Sequence, residues 1–462
     1  MYLKETIIAP ATGNQASAIA VLRISGDKAI EMTEKIFESR FNKKLKNQVS
    51  HTLHFGDIKD NATWVDEVLV AIFEEGKSFT GEETVEISCH GSLYIQNKII
   101  DLFLKNGVRL ALPGEFTMRA FQNGRFDLTQ AEAIADLIAS DSKASHQVAM
   151  HQMRGGISTK LGELRKELIK LTALLELELD FSEDDVEFAD RSQLTDLLKY
   201  ILKEIQVLME TFAYGNAIKK GVPVAIIGKP NAGKSTLLNQ LLNEERAIVS
   251  DIAGTTRDTI EEAIQINGIN FRFIDTAGIR ETEDEIEKIG VQRAIEKAQS
   301  AKILLYLFNT LENTEDEIDM HLSALVREDL HVILVHNKID LNAENQVILD
   351  QKLEEKHQFP LLKISAKNGI FIEDLKRMMF DLIQRQDSDN QIIITNQRHL
   401  DALQKAHAAL TEAQNAFIMQ IPSDLIAQNL REGIKQIGNI TGEIDVDRDI
   451  LGTIFSEFCI GK

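Results

Sequence analysis

Val222-Pro223-Val224-Ala225-Ile226-Ile227 runs directly into Gly228-Lys229-Pro230-Asn231-Ala232-Gly233-Lys234-Ser235. The second run fits G-x-x-x-x-G-K-[ST], and the first is an apolar strand of the kind that motif needs before it. Residues 235–242 then read as a helix. Average composition produces the pattern by chance roughly once per 30,000 positions, so a plain glycine-rich turn is a poor account of it. The glycines let backbone N–H groups curl around phosphate oxygens. The helix N-terminus adds partial positive charge at the same place. Lys234 is placed to reach the outer phosphates, and the Ser235 hydroxyl to bind Mg2+.

Further along, Asp275-Thr276-Ala277-Gly278 ends a second strand candidate at 270–274. An aspartate there can hold magnesium through water, and the Gly278 amide can sense the terminal phosphate. Asn337-Lys338-Ile339-Asp340 ends a third strand at 331–335, and Ser365-Ala366-Lys367 follows a fourth at 361–364. Asp340 can accept two hydrogen bonds from the guanine N1–H and exocyclic amine. Adenine lacks that donor pair, so the nucleotide is expected to be GTP. A lone N-K-x-D is an ordinary polar turn; four motifs in this order at strand ends read as a GTPase.

Between the first two motifs lies Gly254-Thr255-Thr256-Arg257-Asp258. Thr256 is placed to complete the magnesium shell in the GTP state, which makes 250–258 a switch loop. The residue after Gly278 is Ile279, where Ras-like proteins carry a water-positioning glutamine. Another group must therefore orient water. Glu281, Glu283, Asp284, Glu285 and Glu287 are the nearby carboxylates, most of them plain solvated charges. Arg257, Arg280 and Arg293 stay open as cationic groups. Asn231 offers a different solution: with carbonyls of 250–255 it could hold a monovalent cation that supplies positive charge at the phosphates.

The 462 residues imply two to four domains. A hydrophobic share of 44% and a charged share of 27% are those of a soluble globular protein. The net charge of −21, from 51 basic and 72 acidic residues, excludes general attraction to nucleic acid. Two cysteines, Cys89 and Cys459, exclude a disulfide framework. Lys4, Glu5 and Pro10 interrupt the start of the chain as no signal peptide would allow. The longest apolar runs, such as 303–308, are strand-sized rather than membrane-sized. The expectation is a cytoplasmic protein with no membrane contact.

Residues 1–120 mix strand signals at 18–24, 67–73 and 84–88 with an amphipathic helix at 93–106, an α+β pattern. From 121 to 216 the pattern is helical, notably at 161–179 and 193–212, with an acidic break at 182–187. Residues 217–384 alternate strand and helix. After a polar linker at 386–390, residues 385–462 are helical again at 397–414 and 425–438. None of the flanking helices is long enough to be stable alone. The simplest solution packs both helical segments into one all-α domain with the α/β P-loop GTPase domain inserted between them.

Beyond the GTPase motifs, four runs are more specific: Ser78-Phe79-Thr80-Gly81-Glu82-Glu83, Leu112-Pro113-Gly114-Glu115-Phe116-Thr117-Met118-Arg119-Ala120-Phe121, Asp127-Leu128-Thr129-Gln130-Ala131-Glu132-Ala133, and the terminal Phe458-Cys459-Ile460-Gly461-Lys462. With them the whole chain resembles the bacterial tRNA modification GTPases of the MnmE (TrmE) family. The resemblance implies an N-terminal α+β tetrahydrofolate-binding and dimerisation domain, a helical domain made of two chain segments, and an inserted GTPase domain. It implies a homodimer that joins the flavoprotein MnmG (GidA) in a heterotetramer and acts on tRNA held with that partner. Together they add an aminomethyl or carboxymethylaminomethyl group to the wobble uridine, with the one-carbon unit drawn from 5-formyl- or methylene-tetrahydrofolate. It also implies that G domains pair in the GTP state with K+ bound and that hydrolysis drives opening.

Carried over by position, the nucleotide set is Asn231, Ala232, Gly233, Lys234, Ser235 and Thr236 in the first loop. Ser250, Asp251, Ile252, Ala253, Gly254, Thr255 and Thr256 in the switch follow, then Asp275, Thr276, Ala277 and Gly278. Asn337, Lys338, Asp340, Ser365, Ala366 and Lys367 complete it. The resemblance assigns Mg2+ to Ser235 and Thr256, and K+ to Asn231, Ser250, Ile252 and Thr255. Lys234 and Glu287 are the catalytic pair, Glu287 orienting the attacking water through a second water. Arg23, Glu86, Arg125 and Lys462 look like the folate set; two arginines and a lysine suit an anionic ligand, and a carboxylate suits the donor edge of a pterin. Cys459 is either a nucleophile in the one-carbon chemistry or a small residue packed in the site, and no base lies near it in sequence. Two departures stand out: the early loop Gly13-Asn14-Gln15-Ala16-Ser17 is poorer in glycine than is usual in the family, and arginine stands at 125, where lysine also occurs. The alternatives are a ribosome-assembly GTPase switch, which should carry a basic RNA-binding module, and a one-carbon transferase that the GTPase merely regulates.

Overall fold

The computed structural model describes residues 5–13, 15–180, 191–244, 262–274, 301–310, 312–327, 330–341, 346–383, 392–419 and 421–442. They divide into two compact units. One holds the described residues of 1–138, 150–203 and 401–462; the other holds those of 139–149 and 204–400.

The first unit begins with β1 (Ile7–Pro10), β2 (Ile19–Ser25), α1 (Ala29–Glu34), β3 (Phe37–Ser39), β4 (Thr52–Asp60), β5 (Thr63–Phe73), β6 (Thr84–His90), α2 (Leu93–Lys105), β7 (Arg109–Leu110) and α3 (Glu115–Gln122). Its seven strands are ordered β3-β4-β5-β6-β2-β1-β7, antiparallel except for the β1–β7 pair. The signals at 18–24, 67–73 and 84–88 correspond to β2, the second half of β5 and β6. β4 gave no signal in the sequence, and its burial explains why. Its inward positions are His54, Gly56 and Ile58, so the alternation of apolar and polar residues that marks a half-buried strand is missing. Its register comes instead from the hairpin with β5, closed at Asn61 with φ 56°. Ile99 and Phe103 of α2 pack with Leu22, Ile24, Val70 and Val85 of the sheet in one core.

The chain continues through α4 (Leu128–Ala139), α5 (Lys143–Met153), α6 (Gly156–Asp180), α7 (Arg191–Glu210) and α8 (Phe212–Lys220). The expected acidic break at 182–187 lies outside the described residues.

The second unit carries β8 (Val222–Gly228), α9 (Lys234–Glu244), β9 (Glu262–Ile266), β10 (Ile269–Phe273), β11 (Ile303–Phe308), α10 (Glu315–Leu325), β12 (His331–His336), α11 (Gln346–His357), β13 (Leu361–Lys363) and α12 (Ile372–Asp381). The strand order is β13-β12-β11-β8-β10-β9, parallel except for the β9–β10 hairpin. A parallel sheet covered on both faces needs strands apolar on both faces. β11, Ile-Leu-Leu-Tyr-Leu-Phe, is buried at every position, and β12 at all but its first. Two cores result: Val224, Ile226, Leu305 and Leu307 point to one face of the sheet, Ala225, Leu304, Tyr306 and Phe308 to the other.

The last described helices are α13 (Gln397–Ile418) and α14 (Ser423–Thr441). In the first unit, α14 packs along α6 although the six-stranded sheet lies between them in sequence. Leu410 lies close against Gly433, which brings α13 and α14 together. The linker expected at 386–390 lies outside the described residues. Among the described residues no helix is long and apolar enough to cross a membrane.

Candidate nucleotide site

Parallel strands present their carboxyl ends, and the loops that follow them, on one edge of the sheet. The three described motifs follow β8, β12 and β13 on that edge. β8 lies in the middle of the sheet, between β11 and β10. Gly228 at its end lies against Leu307, where any Cβ would come within 2.3 Å of the Leu307 carbonyl. The loop then turns through Asn231 at φ 62° and Gly233 at φ 97°, left-handed conformations that asparagine and glycine tolerate best. Leu237 N–H bonds to the Gly233 carbonyl at 2.9 Å, which starts α9.

Lys234 folds back over this loop. Its Nζ donates to the Gly228 carbonyl at 2.7 Å and the Lys229 carbonyl at 2.8 Å. The ammonium is thus held where phosphate oxygens can replace those carbonyls. Ser235 and Thr236 are exposed on the first turn of α9.

Asn337 joins the loops. Its Nδ2 donates to the Ala232 carbonyl at 2.8 Å, and its Oδ1 accepts from Ala366 N–H at 3.0 Å. The residue is 2% exposed, so both amide ends are used where water cannot substitute. Asp340 is exposed. It accepts a hydrogen bond from Ser365 Oγ at 2.6 Å, which is the main reason its carboxyl sits below the ordinary aspartate range. Asn337, Asp340, Ser365 and Ala366 therefore form one bonded group with the phosphate loop. Lys338 stands at φ 65°, and Lys367 is exposed beside it in the last loop.

A charged lattice that no motif reveals braces this group. Lys229 Nζ donates to Glu317 Oε2 at 2.7 Å and to the Glu312 carbonyl at 2.8 Å. Lys338 Nζ lies 3.4 Å from Glu312 Oε1. The Lys229 bond is the largest cause that holds the Glu317 carboxyl down at about 2. Glu317 also caps α10, accepting from Thr314 N–H at 3.0 Å. Lys229 and Glu317 are 88 residues apart, and nothing in their spacing points to the pair.

Ser250, Asp251, Ile252, Ala253, Gly254, Thr255, Thr256, Asp275, Thr276, Ala277, Gly278 and Glu287 lie outside the described residues. The part that is described suits a bound phosphate chain. Gly233 forms a cradle that a Cβ would close, since it would come within 2.2 Å of Asn337 Nδ2. The Ser235 hydroxyl at the head of α9 is of the chemistry Mg2+ takes, and the exposed Asn231 carboxamide is of the chemistry K+ takes.

Three residues of the second expected site are described. Arg23 and Glu86 face each other across β2 and β6, with Arg23 Nε on Glu86 Oε1 at 2.9 Å. The Arg23 guanidinium lies over the Phe79 and Phe116 rings, at 5.2 and 5.8 Å from their centroids. Arg125 Nη1 donates to the Gly76 carbonyl at 3.3 Å, and its stem packs at Gly81. Both arginines thus touch the segment 76–81. Lys462 and Cys459 lie outside the described residues. Cys89 is buried, and burial pushes its thiol up to about 11.

The segments around this site are tied together by a buried ion network. Arg119, fully buried, bonds Glu82 at 3.0 Å and Glu115 at 2.9 Å. Arg109 holds Glu115 from the other side at 2.6 Å, and Asn123 Nδ2 donates to the Thr80 carbonyl at 2.8 Å. Glu82, Glu115 and Arg119 are therefore the framework of the Ser78–Glu83 and Leu112–Phe121 motifs.

The family profile described as GTP-binding protein TrmE N-terminus matches residues 6–125, and that of the MnmE helical domain matches residues 128–459. The tRNA modification GTPase MnmE of Flavobacterium johnsoniae is 50% identical, with 100% of each chain covered. The protein of the same name from Cytophaga hutchinsonii is 49% identical over 99% of this chain and 98% of its own. That of Bacteroides thetaiotaomicron is 48% identical over 99% of this chain and 100% of its own. Two adjoining profiles and relatives matched end to end agree with the joined nucleotide loops: the chain is a GTPase and belongs to the MnmE (TrmE) family of tRNA modification GTPases.

Proposed function

We propose that this chain hydrolyses GTP within an assembly that modifies the wobble uridine of certain tRNAs. The observation that carries the nucleotide assignment is the Asn337 bridge between Ala232 and Ala366, with an ionised Asp340 beside it. That arrangement offers two acceptor oxygens to a guanine edge and none of the donors that adenine would need. Lys234 exchanges the Gly228 and Lys229 carbonyls for phosphate oxygens as GTP enters. Mg2+ on Ser235 and Thr256, and K+ on Asn231, Ser250, Ile252 and Thr255, neutralise charge on the phosphates when bound. Glu287 positions the attacking water, because Ile279 cannot.

The proposed domain plan is 1–120, 121–216, 217–384 and 385–462, with the GTPase segment inserted in a helical domain built from both flanks. The packing of α14 along α6 supports it. A tetrahydrofolate derivative binds at Arg23, Glu86, Arg125 and Lys462, where Arg23 over Phe79 offers a cationic, planar surface. The protein acts in the cytosol as a homodimer through the N-terminal domain, with a flavoprotein of the MnmG kind and tRNA. The names of the relatives support the tRNA assignment.

Two measurements test this reading. Glu287→Ala should keep GTP binding and lose hydrolysis; retained turnover would remove Glu287 from the mechanism. Mass spectrometry of tRNA nucleosides from cells lacking the gene should show loss of the wobble side chain with normal ribosome profiles. Intact nucleosides with abnormal subunit profiles would move the chain to ribosome assembly.

A further inference from the structure

The two guanine-reading loops share a buried anchor behind them. His336, the last residue of β12, directly precedes Asn337. Lys363, the last residue of β13, stands two places before Ser365. They are register partners across the two strands, and Ile364 N–H bonds to the His336 carbonyl at 2.8 Å. Asp350, on α11, holds both through Oδ2: His336 Nδ1 donates to it at 3.1 Å and Lys363 Nζ lies at 2.8 Å, while Oδ1 is buried without a hydrogen-bond partner. The His336 and Asp350 side chains are 1% and 3% exposed. The imidazole stacks on Phe308 at 5.1 Å, and Phe308 accepts the N–H of Asn337 at 2.9 Å.

A buried carboxylate is costly and persists where it is paired. Burial by itself pushes Asp350 up, and the His336 and Lys363 bonds outweigh it, so the group stays below its ordinary value. His336 Nε2 is buried without a hydrogen-bond partner, which leaves Asp350 as the polar anchor of the ring. Packing alone would not need a charge here. A charge makes sense where two strand ends must keep one separation.

We infer that Asp350 is a positioning residue for guanine recognition. Through His336 and Lys363 it sets the gap between the Asn337–Asp340 loop and the Ser365–Lys367 loop, in which the base lies. This rests on the nucleotide assignment above. Asp350 does not touch the base; it acts through the strand ends.

The test uses the full chain with Asp350→Asn and Lys363→Met. Affinities for GDP, IDP and ADP are measured, with kcat and KM for GTP and the melting temperature. IDP lacks the exocyclic amine that Asp340 reads. Asp350→Asn should weaken GDP roughly tenfold, the weight of one charge-assisted hydrogen bond. It should narrow the GDP-over-IDP preference and leave kcat at saturating GTP within about twofold. Lys363→Met, half-exposed and safe for folding, should move affinity and preference the same way by about threefold. If the wild type prefers GDP over ADP and both folded variants match it in affinity and preference, the clamp is overturned whatever happens to the melting temperature. If Asp350→Asn does not fold, Lys363→Met decides by the same criterion. If the wild type itself shows no preference for GDP over ADP, the nucleotide assignment falls first and the clamp with it.

Discussion

The side-chain amide of Asn337 donates to the backbone carbonyl of Ala232 at 2.8 Å, across 105 residues of sequence. The bond ties the loop after β8 to the loop after β12. Asn337→Ala removes it together with the Ala366 bond, and each is worth about 1 kcal/mol. GDP affinity should fall at least about tenfold, read by fluorescence titration. Unchanged affinity would mean the loops hold their positions without the bridge.

Gly233 combines φ 97° with a Cβ position 2.2 Å from Asn337 Nδ2. Gly233→Ala must move backbone and side chain together, at a cost of about 1–3 kcal/mol. Nucleotide binding should be lost while the first unit melts as in the wild type. Calorimetry with and without GDP separates the two.

Asn231 sits at φ 62°, so glycine can replace it without strain. Asn231→Gly therefore removes only the carboxamide. Wild-type hydrolysis should slow strongly when Na+ replaces K+ at equal ionic strength, and the variant should be slow in both. Equal wild-type rates in the two salts would end the K+ proposal.

Glu115 is 2% exposed. Burial alone raises its pKa, but bonds from Arg109, Leu112 N–H and Arg119 bring it below the ordinary value of 4.5. A depressed carboxylate contributes stability that is present above 4.5 and lost as pH falls through the lower folded value. Arg119→Met should destabilise the first unit by about 3 kcal/mol and start acid unfolding at higher pH. An unchanged acid transition would show that Arg119 does not hold Glu115 ionised.

Arg23 presents a flat guanidinium to Phe79 and Phe116 while paired with Glu86. Arg23→Lys keeps the charge but not the plane. Binding of 5-formyl-tetrahydrofolate, followed by calorimetry, should weaken roughly tenfold in Arg23→Lys. Full affinity in that variant would reduce the site to a simple charge.

Legibility differed from element to element for physical reasons. β8, β11 and β12 were plain because a parallel strand buried on both faces is a continuous apolar run. β4 was not, because the positions it buries are His54, Gly56 and Ile58. α6 and α14 both showed as helices, but no periodicity says which helix a given apolar stripe will meet. Among the site residues, Asn337 and Asp340 could be read because a motif fixes their spacing. Glu317 and Asp350 could not: each reaches its partner only after a strand and a helix have been laid down.

Local chemistry sufficed for whatever contiguous residues decide. The Gly228–Ser235 loop, the Asn337–Asp340 turn at the end of β12 and the alternation of strand and helix around them follow from the order of side chains along the backbone. Tertiary structure alone decided which distant charges meet. Lys229 with Glu317, Arg119 with Glu82, and Asp350 with both His336 and Lys363 are pairs whose geometry depends on strand order and helix packing. Burial then sets their strength: the low dielectric around Arg119 and Asp350 makes a pair matter and an unpaired charge costly, whereas Lys229 and Glu317, 26% and 41% exposed, are screened by water.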